Sequence, residues 1–187
     1  MTMGTISDWR LPMHPSYLYT VPLFHCNGWG HAWTMTALAG KIVCCRQVSA
    51  MAIYDAINTQ KVTHLGGAPI ILGMIINAES SDRKEFSHTV EVMTAGAPPP
   101  AAILEGIEKL GFNVTHVYGL TETYGHAVMC FWQDQWDDTD FTQRAIIKAR
   151  QGVAMTATES TRVVDLNTRE DVPKDGKTIG EIVLQGN

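Results

Sequence analysis

The chain has 187 residues, of which 45% are hydrophobic and 18% are charged, a composition typical of folded globular proteins and unlike that of collagens or disordered chains. Its formal net charge is -5 and it has no basic run, which argues against a nucleic-acid partner bound through its phosphates. No apolar run reaches the roughly 18 residues that span a bilayer, and the N-terminus does not resemble a secretory signal. We therefore expect a cytoplasmic protein without a membrane span.

Five short runs rich in β-forming residues are predicted as strands, and each is followed by a turn signal. They cover residues 17–23, 41–45, 62–65, 90–95 and 114–118. The segments GWGHAWTMTALAG, SAMAIYDAINTQ, PIILGMIINA and PPAAILEGIEKLG between them are predicted as helices, and PIILGMIINA is apolar nearly all round, as in a helix sandwiched in the interior or lining an apolar pocket. Because parallel neighbours need a connection of a dozen or more residues, this order predicts βαβ crossovers.

Residues 17–150 are therefore expected to form an α/β subdomain, with helices flanking a parallel sheet, and residues 1–16 a lead-in. The pattern changes after residue 125, where a polar, acidic stretch precedes a short helix or loop. Two apolar runs then follow, separated by the turn clusters NTRED and PKDG. They predict an antiparallel pair of strands, the start of a β subdomain over residues 151–187. The chain ends directly after a strand, so we expect a domain that is cut short.

Cysteine and histidine spacings predict neither a disulfide nor a metal site. The cysteines show no CxxC spacing, and the vicinal pair cannot form an ordinary unstrained bridge; reduced core or pocket thiols are expected at Cys26, Cys44, Cys45 and Cys130. The seven histidines show no HxxxH or HExxH spacing. We interpret His31, His64 and His116 as core or pocket histidines.

Unusual residues fall directly after four of the predicted strands. They are FHCNGW at 24–29, GGAP at 66–69, GAP at 96–98 and GLTE at 119–122. Because ligands of open parallel sheets bind at the carboxyl ends of the strands, these loops predict one common site. Glycines allow a flat ligand or a phosphate to approach the backbone, and a Thr-Glu pair offers a hydroxyl donor beside a carboxylate suited to Mg²⁺. The pattern predicts a nucleotide site.

Each of these features also has a purely structural explanation. Glycine at a strand-to-helix turn is often required by the turn itself. Thr121 could cap a helix, with Glu122 in the first turn favouring the helix dipole. The chain contains neither GxGxxG nor GxxxxGK[ST], so a Rossmann dinucleotide site or a P-loop has no support.

Four motifs together resemble a known family. PLFHCNGW (22–29), TAGAPPP (94–100), VYGLTETYG (117–125) and GEIVLQGN (180–187) resemble the adenylate-forming (AMP-binding) superfamily of acyl-CoA synthetases, closest to its fatty-acid CoA ligase branch. The resemblance implies that a carboxylate attacks the α-phosphate of ATP to give an acyl-adenylate and pyrophosphate, and that the thiol of CoA then displaces AMP to give an acyl thioester. It implies ATP or AMP, Mg²⁺, CoA and a small carboxylic acid as ligands.

The resemblance also implies roles for individual residues. Tyr118 would stack on adenine, Thr121 would hydrogen-bond the α-phosphate, and Glu122 would coordinate Mg²⁺. His25 would position the acyl group without exchanging protons. The backbone around the base would be supplied by Gly96, Ala97, Pro98 and Gly119, and the acyl pocket would be bordered by His25, Asn27, Trp29, Gly67, Thr94 and Gly125.

The chain also departs from this family. It lacks the phosphate loop that ends in Pro-Lys-Gly, the Thr-Gly-Asp segment and the C-terminal domain with its catalytic lysine, and the family's GVP is Gly152-Val153-Ala154 here. We therefore interpret it as a central segment of an acyl-CoA synthetase that is inactive alone, because lost transition-state donors are costly. Two alternatives stay open: a stand-alone, non-catalytic acyl- or adenine-binding module, and a structural remnant whose strand edges pair with a second copy. The acid itself is left open.

Overall fold

A computed structural model of the protein describes residues 1–186. Its strands are β1 Ser16–Tyr19, β2 Lys41–Cys44, β3 His64–Gly67, β4 Val90–Thr94, β5 Phe112–Leu120, β6 Gly125–Met129, β7 Val153–Ala154, β8 Ser160–Val164 and β9 Glu181–Gln185. Its main helices are α1 Thr2–Asp8, α2 His31–Ala37, α3 Ala50–Gln60, α4 Pro69–Ile76, α5 Ala101–Glu108 and α6 Phe141–Lys148. No helix among residues 1–186 is long and apolar enough to cross a bilayer.

Seven strands form one sheet in the order β2-β1-β3-β4-β5-β6-β7. Neighbouring strands pair in parallel from β2 through β1, β3 and β4 to β5. Strands β6 and β7 are added antiparallel beyond β5. A separate antiparallel pair is formed by β8 and β9. The predicted α/β class, the five parallel strands and the antiparallel end are therefore confirmed.

Local sequence signals explain where several helices begin and end. The Ser49 hydroxyl accepts a hydrogen bond from the Ala52 amide at 3.2 Å, and the Asp140 carboxylate accepts one from the Gln143 amide at 2.8 Å. These N-caps start α3 and α6 by satisfying amides that have no partner within the helix. Helix α4 starts with Pro69 at its first turn, where a missing N–H costs nothing.

One face of the sheet is held in register by apolar contacts. Leu18, Leu65, Val92 and Val114 are paired one to the next across β1, β3, β4 and β5, and all four are buried. Helices α3 to α6 pack on this row. Because a slip of one residue would turn every side chain of a strand to the other face, the row fixes the relative heights of the four strands.

The opposite face carries aromatic and histidine side chains. Tyr17 and His64 pair across β1 and β3, and Trp9 packs edge-on against both rings, at centroid distances of 6.4 and 5.1 Å. His31 and His126 are buried in the same layer. His64 hydrogen-bonds Thr63 Oγ1 at 2.8 Å, which confirms a core interpretation for this histidine.

The two other histidines interpreted as core residues are also buried and hydrogen-bonded. The Tyr17 hydroxyl lies 2.8 Å from His31 Nδ1, and His116 Nδ1 lies 3.0 Å from the Arg150 carbonyl oxygen. Burial lowers the pKa of each imidazole because the charged form is desolvated. Both side chains are therefore buried as neutral groups.

An ionic network ties helices α5 and α6 to the amino ends of β4 and β5. Buried Lys148 donates to the Glu108 carboxylate and, at 2.7 Å, to Asn113 Oδ1, and Asn113 Nδ2 donates to Glu91 Oε2 at 2.8 Å. Burial lowers the pKa of Lys148 and raises the pKa of Glu91. The network therefore lies at the amino ends of the strands, and the loops 24–29, 66–69 and 96–98 lie at the carboxyl ends.

Some expectations from the sequence were incomplete or wrong. Helix α1 and strand β6 were not predicted, and the helix is followed by the buried side chain of Trp9. Helix α4 is not sandwiched, because Ile70 is 76% exposed. All four cysteines are free, but Cys44 is exposed on the edge strand β2 and is therefore not a core or pocket thiol.

Acidification is expected to destabilise the fold between pH about 6.5 and about 4 through its buried histidines. Burial lowers the pKa of His64 and His126 from 6.5 to about 4. In this window the unfolded chain binds protons that the folded chain does not, so the free energy of unfolding falls as the pH falls, by up to about 3 kcal/mol for each group. Urea unfolding measured at pH 7.5, 5.5 and 4.5, a series set by these windows, checks this.

The matched variant for this measurement is His64→Phe, which keeps an aromatic ring and removes one titrating group. It is expected to weaken the dependence of the unfolding free energy on pH. An unfolding free energy that is equally pH-dependent in the variant and the wild type would contradict the assignment.

Candidate functional site

The four loops singled out in the sequence meet at one edge of the sheet. Strands β1, β3, β4 and β5 are consecutive neighbours and run parallel, so their carboxyl ends lie side by side. We call the four segments at and after these strand ends the strand-end site: residues 24–29, 66–69, 96–98 and 119–125, of which 66–67 and 119–120 are the last residues of β3 and β5 and 125 is the first of β6.

Contacts between these loops show that the site is continuous. Cys26 Sγ lies 3.6 Å from Thr121 Oγ1, which joins the first loop to the fourth. A Cβ atom built on Gly66 would lie 3.2 Å from the Trp29 ring, and one built on Gly96 would lie 3.9 Å from Ala68 Cβ. The first and second loops are therefore packed together, as are the second and third.

The first loop contains a left-handed turn. The φ angles of Cys26, Asn27, Gly28 and Trp29 are 42°, 44°, 61° and 59°, and each non-glycine residue in this conformation costs roughly 1–2 kcal/mol. Gly28 has no alternative, because a Cβ there would lie 2.7 Å from the Tyr19 ring. Strain of this kind is concentrated at functional sites. Apart from Gly28, no residue of the sequence signals this conformation.

The left-handed turn sorts its side chains between solvent and core. His25 and Asn27 are exposed, whereas Trp29 is 6% exposed. The Trp29 ring packs edge-on against His126 at a centroid distance of 5.1 Å. The turn therefore presents one imidazole and one amide at the rim while its tryptophan forms part of the floor.

The second and third loops contribute mainly backbone. Gly67 and Thr94 are buried at the ends of their strands, and Thr94 Oγ1 has no hydrogen-bond partner within residues 1–186. The third loop is exposed along Gly96, Ala97 and Pro98. Its backbone can therefore be reached by a flat ligand.

The fourth loop is a tight connection between β5 and β6. The Leu120 amide donates to Thr123 Oγ1 at 2.9 Å, and the Thr123 hydroxyl lies 2.7 Å from the Gly125 carbonyl oxygen. These bonds hold a single 3₁₀ turn over Thr121–Thr123. Sequence reasoning missed Thr123, whose only signal is a hydroxyl residue in a turn.

The turn leaves the predicted ligand-binding side chains accessible. Thr121 and Glu122 are exposed, and Tyr118 is half-buried beside Gly119. Leu120 is the residue that precedes the turn, so Thr121 does not cap a helix. Gly125 is buried where β6 begins.

The predicted site residues thus divide into two groups. Exposed at the rim are His25, Asn27, Gly96, Ala97, Pro98, Thr121 and Glu122. Buried beneath it are Trp29, Gly67, Thr94 and Gly125, with Tyr118 and Gly119 between the two groups. The structure brings all of them to the same edge of the sheet.

The charge of the site is set by Glu122. None of the four loops contains Lys or Arg, and Glu122 takes part in none of the ion pairs formed within residues 1–186. The described part of the chain has no cluster of three or more His, Cys, Asp or Glu side chains suited to a metal. One free carboxylate fits Mg²⁺, which commonly binds one or two carboxylates together with substrate phosphates.

Comparison with known proteins identifies relatives over the whole chain. A family model described as AMP-binding enzyme matches residues 1–187. The chain is 48% identical to a probable acyl-activating enzyme of Arabidopsis thaliana and 46% identical to a 2-methylpropanoate–CoA ligase of Humulus lupulus. Both matches cover 100% of this chain, but 34% and 33% of the respective relatives. The chain spans about a third of the length of the curated relatives it matches.

Solved structures show the same fold at low sequence identity. A long-chain-fatty-acid–CoA ligase of Archaeoglobus fulgidus matches 99% of this chain with 37% of its own, at a TM-score of 0.77 and 18% identity. ATP-bound MatB of Rhodopseudomonas palustris matches 99% of this chain with 34% of its own, at a TM-score of 0.76 and 19% identity.

Replacing Gly119 by alanine is expected to disrupt the fourth loop. A Cβ atom at this position would overlap the carbonyl group of Gly125, so the β5–β6 connection could not close as it does. We expect Gly119→Ala to lower the free energy of unfolding by at least about 2 kcal/mol, as steric and backbone effects of this kind commonly do. Urea unfolding monitored by tryptophan fluorescence measures the change.

The control for this prediction is Gly106→Ala in helix α5, where the added methyl would meet its nearest neighbour at 3.5 Å. Alanine favours a helix over glycine by about 1 kcal/mol, so this variant should be as stable as the wild type or more stable. Equal stability of Gly119→Ala and the wild type would show that the loop is not closed as described.

Proposed function

The chain belongs to the AMP-binding enzyme family, and we propose that its strand-end site binds the adenylate and acyl groups in an acyl-CoA ligase. The observation that carries the proposal is the contact of Cys26 with Thr121, because it joins the loop expected to border the acid to the loop expected to hold the nucleotide phosphate. Relatives named as CoA ligases support the same reaction class.

The nucleotide base is assigned to the third and fourth loops. These loops follow the adjacent strands β4 and β5, so a base stacked on the half-buried Tyr118 ring would be bordered by the exposed backbone of Gly96, Ala97 and Pro98. Gly119 has no side chain to obstruct that approach. Stacking of a base on an aromatic ring contributes about 1–3 kcal/mol.

The phosphates are assigned to the 3₁₀ turn. Thr121 and Glu122 are both exposed; the Thr121 hydroxyl would donate to the α-phosphate, and Glu122 would hold Mg²⁺ beside it. The carboxylate oxygen would bond to the α-phosphorus of ATP as pyrophosphate leaves, and Mg²⁺ would offset the phosphate charge. His25, exposed at the rim, orients the acyl group and the incoming thiol of CoA.

The acid is assigned to the buried half of the site. Asn27 borders its entrance, and its walls are Trp29, Gly67, Thr94 and Gly125. The bulky Trp29 ring, packed against the Gly66 backbone, favours a short acid, because each additional methylene needs space to be buried. Relatives named for 2-methylpropanoate and for acetate and butyrate support a short acid as well.

The 187-residue chain alone is proposed to form no CoA thioester. Its four loops offer no basic side chain to the β- and γ-phosphates, and loss of even one transition-state donor can cost roughly 100- to 1000-fold in rate. This chain is therefore expected to bind the adenylate without converting its substrates to an acyl-CoA. Appearance of an acyl-CoA product, followed by liquid chromatography with CoA, ATP, Mg²⁺ and a series of short acids, would contradict this.

The remaining features of the proposal concern organisation and location. We propose that residues 17–150 carry the site, that residues 1–16 lead into them and that residues 151–187 begin a β subdomain. The cytoplasm is proposed as the location, although three relatives, two of Arabidopsis thaliana and one of Petunia hybrida, are named as peroxisomal. We also propose that this chain self-associates through its strand edges. Sedimentation velocity measures its oligomeric state.

Tyr118 provides the most specific test of the nucleotide assignment. Replacing it by alanine removes the stacking surface, so the affinity for a non-hydrolysable acyl-adenylate analogue should fall by about tenfold to a hundredfold. Tyr118→Phe keeps the ring and should bind like the wild type. Isothermal titration measures all three proteins, and equal affinities for the alanine variant and the wild type would exclude Tyr118 from the site.

A further inference from the structure

Two buried histidines lie next to the residues assigned to the acid. His31 and His126 are 0% and 3% exposed, and the centroids of their rings are 5.9 Å apart. His126 follows Gly125 directly in the sequence, and its ring is packed edge-on by Trp29 at 5.1 Å. His31 follows Trp29 by two residues, and these two rings lie 6.5 Å apart.

The hydrogen bonds of this pair are incomplete. The Nε2 atoms of both histidines are buried and have no hydrogen-bond partner within residues 1–186. The other nitrogen of His31, Nδ1, is held at 2.8 Å by the Tyr17 hydroxyl, which fixes the orientation of the ring. A buried polar atom without a partner costs about 1–3 kcal/mol, and here two such atoms belong to neighbouring rings.

The two other buried histidines, His64 and His116, do not share this feature. His64 is bonded to Thr63, and His116 is bonded to the Arg150 carbonyl oxygen. Neither of them has a buried nitrogen without a partner in the described part of the chain. Among the buried histidines, the unpartnered nitrogens are therefore those of the two rings nearest the acid; in the same layer Trp9 Nε1 also has no partner within residues 1–186.

The hydrogen-bonding capacity of two neutral imidazoles indicates which group of a ligand could bind to their Nε2 atoms. Burial keeps both rings neutral, since it lowers the pKa of His31 well below its usual value of 6.5 and the pKa of His126 from 6.5 to about 4. Each neutral ring has one nitrogen that donates and one that accepts, so the pair can offer one N–H and one lone pair. A hydroxyl group donates one hydrogen bond and accepts another, whereas a methyl group would leave both nitrogens unpaired.

Building on the proposed function, we propose that His31 and His126 determine substrate specificity by binding a hydroxyl group on the acid. The substrate class is then a short carboxylic acid that carries a hydroxyl on its chain. A site built to hydrogen-bond a substrate group rejects the analogue that lacks this group, because its own buried polar atoms remain unpaired. A water molecule has the same hydrogen-bonding chemistry and is the rival occupant.

The test compares pairs of acyl-adenylate analogues that differ in one hydroxyl group. Butanoyl and hexanoyl sulfamoyl-adenosine, each with and without a terminal hydroxyl, are titrated calorimetrically into the 187-residue chain. For at least one chain length the hydroxylated analogue is expected to bind about tenfold more tightly. His126→Phe should abolish this difference, and the matched control His64→Phe should retain it, because His64 already has a partner.

A spectroscopic measurement on the wild-type chain makes the test independent of variants that fail to fold. In long-range ¹H–¹⁵N spectra, the Nε2 signals of His31 and His126 should shift with the hydroxylated analogue and stay in place with the unsubstituted one. Equal affinities within both pairs, with unmoved Nε2 signals, would show that the two histidines hold only water and would overturn the inference. Failure of all four analogues to bind would instead refute the proposed function, and the inference with it.

Discussion

The parallel register of β1, β3, β4 and β5 is the constraint on which the candidate site depends. It is enforced by burial, because the row of Leu18, Leu65, Val92 and Val114 lies under four helices and a slip of one residue in any strand would expose its apolar side chains. Because the strands keep this register, four segments that are far apart in the sequence lie side by side at the carboxyl ends of the strands. Contacts between the loops then follow from the geometry of the sheet.

The two faces of the sheet have different roles: one stabilises the fold, and the other lies beneath the candidate site. One face is aliphatic and well packed, and it positions the strands. The other carries Tyr17, His31, His64 and His126, whose burial keeps the imidazoles neutral and places polar atoms beneath the strand-end site. The left-handed turn that follows Val21 by a few residues adds backbone strain to this face. Backbone strain therefore lies where a ligand would be held, as is common at functional sites.

The sequence predicted the parallel strands and the four loops because short apolar runs, single intervening helices and strand-end glycines are local signals. It also predicted which residues gather at the edge, since parallel strands bring their ends together. What it could not predict depends on tertiary contacts. The left-handed turn at Cys26–Trp29 is packed against the Tyr19 ring at Gly28. Thr123 closes its turn only when β5 and β6 pair, and the exposure of Ile70 depends on which elements pack on α4. The unpartnered nitrogens of His31 and His126 become visible only when the rings are placed.

The central claim is that the four strand ends form one site, in which the nucleotide lies at the third and fourth loops, next to the first loop, and the acid lies beneath them. Amide chemical-shift mapping during a titration with AMP and Mg²⁺ tests it most directly, because every loop is observed at once. The account predicts saturable shifts in residues 24–29, 96–98 and 118–125, and unchanged signals at the opposite edge around Glu91 and Asn113. Shifts centred on Glu91 and Asn113, or no saturable shifts in the loops, would contradict it.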